Sequence, residues 1–136
     1  MVKSDVIKLE IPCSPEFITI SRKAVEAIAS RLALTDEQVE DLKLAVGEAC
    51  SNAVKFSGPD KSVVRVLYRI ELDRLEIEVC NTGTAFSRDG GTQKPPVEML
   101  PEGGLGLYLI DQVMDELKIS CGDGETTVKM VKQLRK

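Results

Sequence analysis

At 136 residues, 43% hydrophobic and 29% charged, the chain suits one domain with a single core, residues 1–136, and leaves no room for a second. A formal charge of −4 argues against a nucleic-acid binder, which presents a basic face, and favours a protein or neutral small-molecule partner. A histidine count of zero removes serine-type triads, imidazole bases, His-bound metals and any phosphohistidine relay within the chain, so chemistry must rest on carboxylates, amides, lysines and backbone.

Residues Asp5 to Ile11 alternate, with Val6, Ile7, Leu9 and Ile11 apolar and Lys8 and Glu10 charged, which predicts a half-buried strand ended by Pro12. From Pro15 to about Leu34 the apolar positions Phe17, Ile20, Ala24, Ala27, Ile28 and Leu32 recur at helical spacing. Thr35 then reads as an N-cap, with Gln38 three residues on completing a capping box, and the second helix should run to about Phe56, before Ser57-Gly58-Pro59. Residues 62–72 and 74–80 read as two strands of an antiparallel hairpin turning near Asp73. Residues 82–104 hold five glycines and three prolines, too many for regular structure, and a loop of that length is usually functional or mobile. A third helix from Gly104 to Met114, a strand at 117–121, a Gly122-Asp123-Gly124 turn and a strand at 126–134 complete the chain. This order predicts an α+β two-layer sandwich, a mixed, mostly antiparallel sheet with its helices on one face.

No apolar run approaches the ~18 residues of a membrane span, and the Met1-Val2-Lys3-Ser4-Asp5 start lacks the apolar segment of a signal peptide. Both point to a soluble, cytoplasmic protein with no membrane partner. Cysteines 13, 50, 80 and 121 show no paired zinc-like spacing and read as small buried hydrophobes.

On the second helix, Asp41, Glu48 and Asn52 fall on one narrow stripe at 100° per residue, beside the core stripe of Val39, Leu42, Val46, Ala49 and Ala53. Singly these are ordinary boundary polars. Together they place a carboxylate able to take a proton from a hydroxyl one turn from an amide oxygen able to bind Mg²⁺, which prefers oxygen ligands. Asn81-Thr82-Gly83 ends a strand that is apolar at Leu75, Ile77 and Val79, so Asn81 should point into a pocket at the sheet edge, with Gly83 permitting close approach by a flat ligand. Asn-Thr-Gly is also an ordinary turn. The run Gly103-Gly104-Leu105-Gly106-Leu107 can offer backbone N–H groups and a helix N-terminus to phosphates, or simply begin a helix flexibly. It is no P-loop, lacking Gly-Lys-Ser or Gly-Lys-Thr.

In this order and spacing the segments resemble the GHKL ATPase superfamily, which includes gyrase and histidine-kinase ATP domains, and within it the bacterial anti-sigma-factor serine kinases of the RsbW type. The stretch from Asp41 to Val54 is similar to the N-box region, and Glu102 to Ile110 resembles the G2 box. The resemblance runs from Ile7 to about Lys132 and implies a Bergerat, histidine-kinase-like fold binding ATP and Mg²⁺. It implies Glu48 as general base, Asn52 as Mg²⁺ ligand, Lys55 as a phosphate contact, Gly83 against the adenine, Gly103, Gly104, Leu105 and Gly106 around the phosphates, and Thr127 as a hydroxyl near the adenine. One departure stands out: the family's G1 box usually opens with Asp, and this chain has Asn81, with Ala85 at the second G1 glycine. A carboxamide oxygen can still accept the bond from the adenine 6-amino group, and its NH₂ can donate to N1, without the charge assistance that roughly doubles such a bond.

The resemblance thus implies an anti-sigma factor and serine/threonine-protein kinase. It would phosphorylate an anti-sigma factor antagonist, sequester a sigma factor and work as a homodimer, with no direct contact to nucleic acid. The alternative is a non-catalytic binding module of the same fold that Asn81 has cost its ATP turnover. A sensor histidine kinase is disfavoured, because the chain has no acceptor histidine and no dimerisation helices.

Overall fold

Leu9 and Ile11 on the first strand lie in register with Val66 and Val64 on its neighbour, so the apolar phase of each strand falls on one side of a common sheet. The computed structural model describes residues 4–55, 63–82, 104–122 and 124–134. The elements run β1 (Asp5–Pro12), a single 3-10 turn (Pro15–Phe17), α1 (Ile18–Ala29), α2 (Asp36–Lys55), β2 (Val63–Ile70), β3 (Arg74–Thr82), α3 (Gly104–Val113), β4 (Glu116–Gly122) and β5 (Glu125–Gln133). The strands form one sheet in the order β1-β2-β3-β5-β4, antiparallel at every pairing. Val64, Val66, Tyr68, Leu75, Ile77, Val79, Val128 and Met130 bury one face under the helices. The opposite face is laced with charge: Arg65 meets Glu125 at 2.8 Å, and Lys129 meets Glu76 at 3.2 Å.

The hairpin between β2 and β3 closes as expected near Asp73, with the Glu71 N–H donating to the Arg74 carbonyl at 2.9 Å. Gly124, at φ 75°, supplies the left-handed residue just before β5. The capping box forms reciprocally: the Gln38 N–H donates to Thr35 Oγ1 at 3.1 Å, and the Thr35 N–H donates to Gln38 Oε1 at 2.9 Å.

The first helix departs from expectation at both ends. It enters through the 3-10 turn, whose tighter winding shifts the helical phase, so Ser21, Val25, Ile28 and Ala29 are buried while Ile20 is 45% exposed. It ends at Ala29, five residues early, because the chain tightens into three-residue bonds from Arg31 N–H to the Ile28 carbonyl and from Leu32 N–H to the Ala29 carbonyl.

Small residues let α2 lie close on the sheet: Ala45, Ala49, Cys50 and Ala53 are buried alongside Leu42 and Val46. Beneath it, Tyr68 is wholly buried and its hydroxyl donates to the Ser21 carbonyl at 2.9 Å, avoiding the ~1–3 kcal/mol cost of an unmet buried donor. Burial pushes the Tyr68 pKa well above its ordinary value. The cysteines are free thiols, with Cys50 and Cys121 buried and Cys13 and Cys80 half-buried. Burial pushes the Cys50 thiol up to about 11 against the opposing hydrogen bond with Ser21, which keeps it protonated and unreactive at neutral pH.

Candidate active site at the crossing of α2 and α3

Asn52 follows Glu48 by four positions, so α2 presents both on one face, one turn apart. The N-terminal turn of α3 lies against that face. A methyl group in place of the Gly106 hydrogen would sit 2.7 Å from Glu48 Oε1 and 3.5 Å from Asn52 Nδ2, so glycine here lets the Glu48 carboxylate lie directly against the first turn of α3. Asn52 is 3% exposed, more deeply enclosed than a residue on the margin of the core, whereas Glu48 remains half-buried. A carboxylate, a carboxamide and the first turn of a helix, whose amides have no partner within the helix itself, therefore converge within a few ångströms.

On its other side Glu48 borders a groove of about 530 Å³ between the start of α1 and the outer face of α2, shared with Arg22, Lys43 and Ser51. Arg22 lies across Gly47, where a Cβ would meet its Cδ at 3.0 Å. Nothing in the local sequence pattern around Arg22 marks it, since it belongs to an unremarkable exposed helix surface. Its place is set by the crossing of α1 and α2.

The end of the sheet forms a second cluster. Asn81 continues the inward phase of Leu75, Ile77 and Val79 and is 7% exposed, on the sheet face that carries the helices. Its register partner on β5 is Thr126, itself 2% exposed, and Thr126 lies 3.7 Å from Cys121 Sγ on β4. Thr127 does not join them. It pairs with Cys80, its Oγ1 lies 3.4 Å from Cys80 Sγ, and it occupies the opposite, charge-laced face. Thr127, named above for the adenine, therefore stands on the face opposite Asn81, and Thr126 on the same face as Asn81, because neighbouring strand residues point to opposite faces.

Lys55 is exposed at the last residue of α2. Leu105 is 71% exposed, so what α3 offers there is the backbone N–H rather than the side chain. Gly104 is the first residue of α3. Gly83, Gly103 and the rest of the glycine- and proline-rich stretch between them lie outside the described residues. Among the described residues no group of three or more His, Cys, Asp or Glu side chains could hold a metal ion by itself, and no helix is long and apolar enough to cross a membrane.

Residues 11–132 match the family model described as the histidine kinase-like ATPase domain. The chain belongs to that family. Among its curated relatives, a protein named serine-protein kinase RsbW from Bacillus velezensis is 41% identical over 96% of this chain and 86% of its own length. The protein of the same name from Bacillus subtilis is 38% identical, covering 96% and 87%, and that of Listeria monocytogenes serotype 4a is 38% identical, covering 91% and 85%. Among solved structures, one of the RsbU and RsbW domains of a Mycobacterium tuberculosis protein superposes with a TM-score of 0.73 at 14% identity, covering 97% of this chain and 33% of that one. That likeness is one of fold. Family membership makes ATP the nucleotide the domain uses.

Proposed function

We propose that this chain is an ATP-dependent serine/threonine-protein kinase and anti-sigma factor, which phosphorylates an anti-sigma factor antagonist and, in its other role, sequesters a sigma factor. The observation that carries the reading is the convergence of Glu48 and Asn52 on Gly106 at the start of α3, supported by relatives named as serine-protein kinases over nearly their whole length.

Glu48 is the general base. The antagonist's hydroxyl approaches it through the groove beside Arg22, gives up its proton to the carboxylate, and its oxygen bonds to the γ-phosphorus as the bond to the ADP oxygen breaks. The backbone amides from Gly103 to Gly106 stabilise phosphate charge, and Lys55 reaches toward the phosphates. The donor set fits a metal shared with nucleotide: Mg²⁺ would take the Asn52 amide oxygen, with phosphates and water completing its oxygen shell, and would neutralise phosphate charge there. Asn81 and Thr126 would face the adenine, with Gly83 against its plane. The chain acts in the cytoplasm as a homodimer.

Glu48→Gln tests the catalytic role. The variant is expected to bind ATP nearly as well as wild type and to transfer phosphate to a genuine antagonist at least ~100-fold more slowly, the scale of general-base effects. Equal rates for the two proteins would remove Glu48 from the chemistry.

A further inference from the structure

Asp41 shares the stripe of Glu48 and Asn52 on α2, yet the chemistry proposed above does not use it. The structure gives it a different neighbour. Lys132, on β5, is 8% exposed, and its Nζ donates to the carbonyl of Val113 at 2.6 Å while lying 3.7 Å from Asp41 Oδ2. Val113 is the last residue of α3. Two further bonds tie the same end to the same strand: the Asp115 N–H donates to the Val131 carbonyl at 2.8 Å, and the Gln133 N–H donates to Asp115 Oδ2 at 2.7 Å.

We propose that Lys132 and Asp41 are positioning residues that clamp the C-terminal end of α3 to α2 and β5, and thereby hold its N-terminal amides in register with Glu48 and Asn52 for the phosphates of ATP. The inference rests on the nucleotide site proposed above.

Three physical points carry it. First, α3 has ten residues and is about 15 Å long, a short rigid lever, so an orientation fixed at Val113 is transmitted to Gly106. Second, the two contacts sit at opposite ends of an antiparallel crossing: Gly106 meets Glu48 and Asn52, while Val113 meets Lys132 and, through it, Asp41. Third, a buried ammonium is a poor choice for stability alone, since its desolvation offsets most of what a paired charge gains and an apolar side chain of similar volume serves as well or better. What an ammonium adds is direction. It satisfies one of the last carbonyls of a helix, complements the negative end of the helix dipole, and holds both at a fixed bond length.

Nearly isosteric Lys132→Met removes the charge and keeps most of the volume, whereas Lys132→Arg keeps a donor for the carbonyl. Affinities for Mg·ATP would be measured by calorimetry, and for adenosine by nuclear magnetic resonance titration, with thermal melting of each protein alongside. Lys132→Met is expected to weaken Mg·ATP about tenfold, with adenosine affinity unchanged within about twofold because the nucleobase end lies on the sheet and not on α3. Lys132→Arg should recover most of the loss. If Lys132→Met does not fold, Asp41→Asn carries the test, with a selective loss of about threefold for Mg·ATP expected. Equal losses for Mg·ATP and adenosine, or no loss of either, would overturn the clamp while leaving the site standing. Failure of the wild type to bind Mg·ATP at all would overturn the nucleotide site and the clamp with it.

Discussion

The crossing of α2 and α3 and the open end of the β3–β5 ladder are the two halves of the proposed nucleotide site, and they differ in how side-chain direction is set. On α2 a shift of one residue turns a side chain by 100°, and a long side chain such as Glu48 still reaches much the same neighbourhood. On β5 the same shift turns it by 180°. Thr126 is buried beside Asn81, whereas Thr127 stands on the charge-laced face with Cys80. Function placed on a helix tolerates an approximate reading, and function placed on a strand does not.

The sharpest way to break the helical half is Gly106→Ala. The added methyl would fall 2.7 Å from Glu48 Oε1, the mobile end of its side chain, so the least costly response is for the carboxylate to swing away. The expected result is an unchanged melting temperature with phosphotransfer reduced about 100-fold, as though the base had been removed. A large loss of stability with normal turnover would show that the contact is packing alone.

At the sheet end, Asn81→Asp should tighten ATP binding by about 5- to 150-fold, because a carboxylate is a better acceptor for the adenine 6-amino group than a carboxamide and a poorly met buried group costs ~1–3 kcal/mol. Flat or weaker affinity would instead mean that Asn81 both accepts from and donates to the adenine edge. The smallest effects separate the two threonines. Thr126→Val should weaken ATP by about 2- to 12-fold, the worth of one ordinary hydrogen bond, and Thr127→Val should leave affinity unchanged. Reversed outcomes would return Thr127 to the pocket.

Much of this architecture was legible in the residues. The alternation of β2 and β3, the Thr35–Gln38 capping box and the start of α3 at Gly104 appear as read, because each is decided by neighbours close in sequence, whereas on β1 Val6 and Ile7 stay exposed and only Ile11 is buried. The phase of α1 was not legible. Its 3-10 entry and early end are settled by how Ser21 and Val25 meet the sheet and Tyr68, a tertiary choice that the apolar pattern around Ile20 does not encode. The same holds for the site. The Glu48–Asn52 pair follows from helical spacing, but the role of Gly106 as the point of contact, the groove beside Arg22 and the capture of Asp41 by Lys132 arise between elements distant in the chain. The two threonines are the simplest case: identical residues stand side by side, and only the register of β5 against β3 tells which shares a face with Asn81.

The central claim is that the α2–α3 crossing holds ATP together with Mg²⁺, and calorimetric titration of ATP into the wild type and Asn52→Ala, each with Mg²⁺ and with EDTA, tests it most directly. The account predicts saturable binding by the wild type with Mg²⁺, a loss of about tenfold or more when the metal is chelated, and Asn52→Ala with Mg²⁺ behaving like the chelated wild type. No binding at millimolar ATP, or a wild-type affinity that neither EDTA nor the substitution alters, would contradict it.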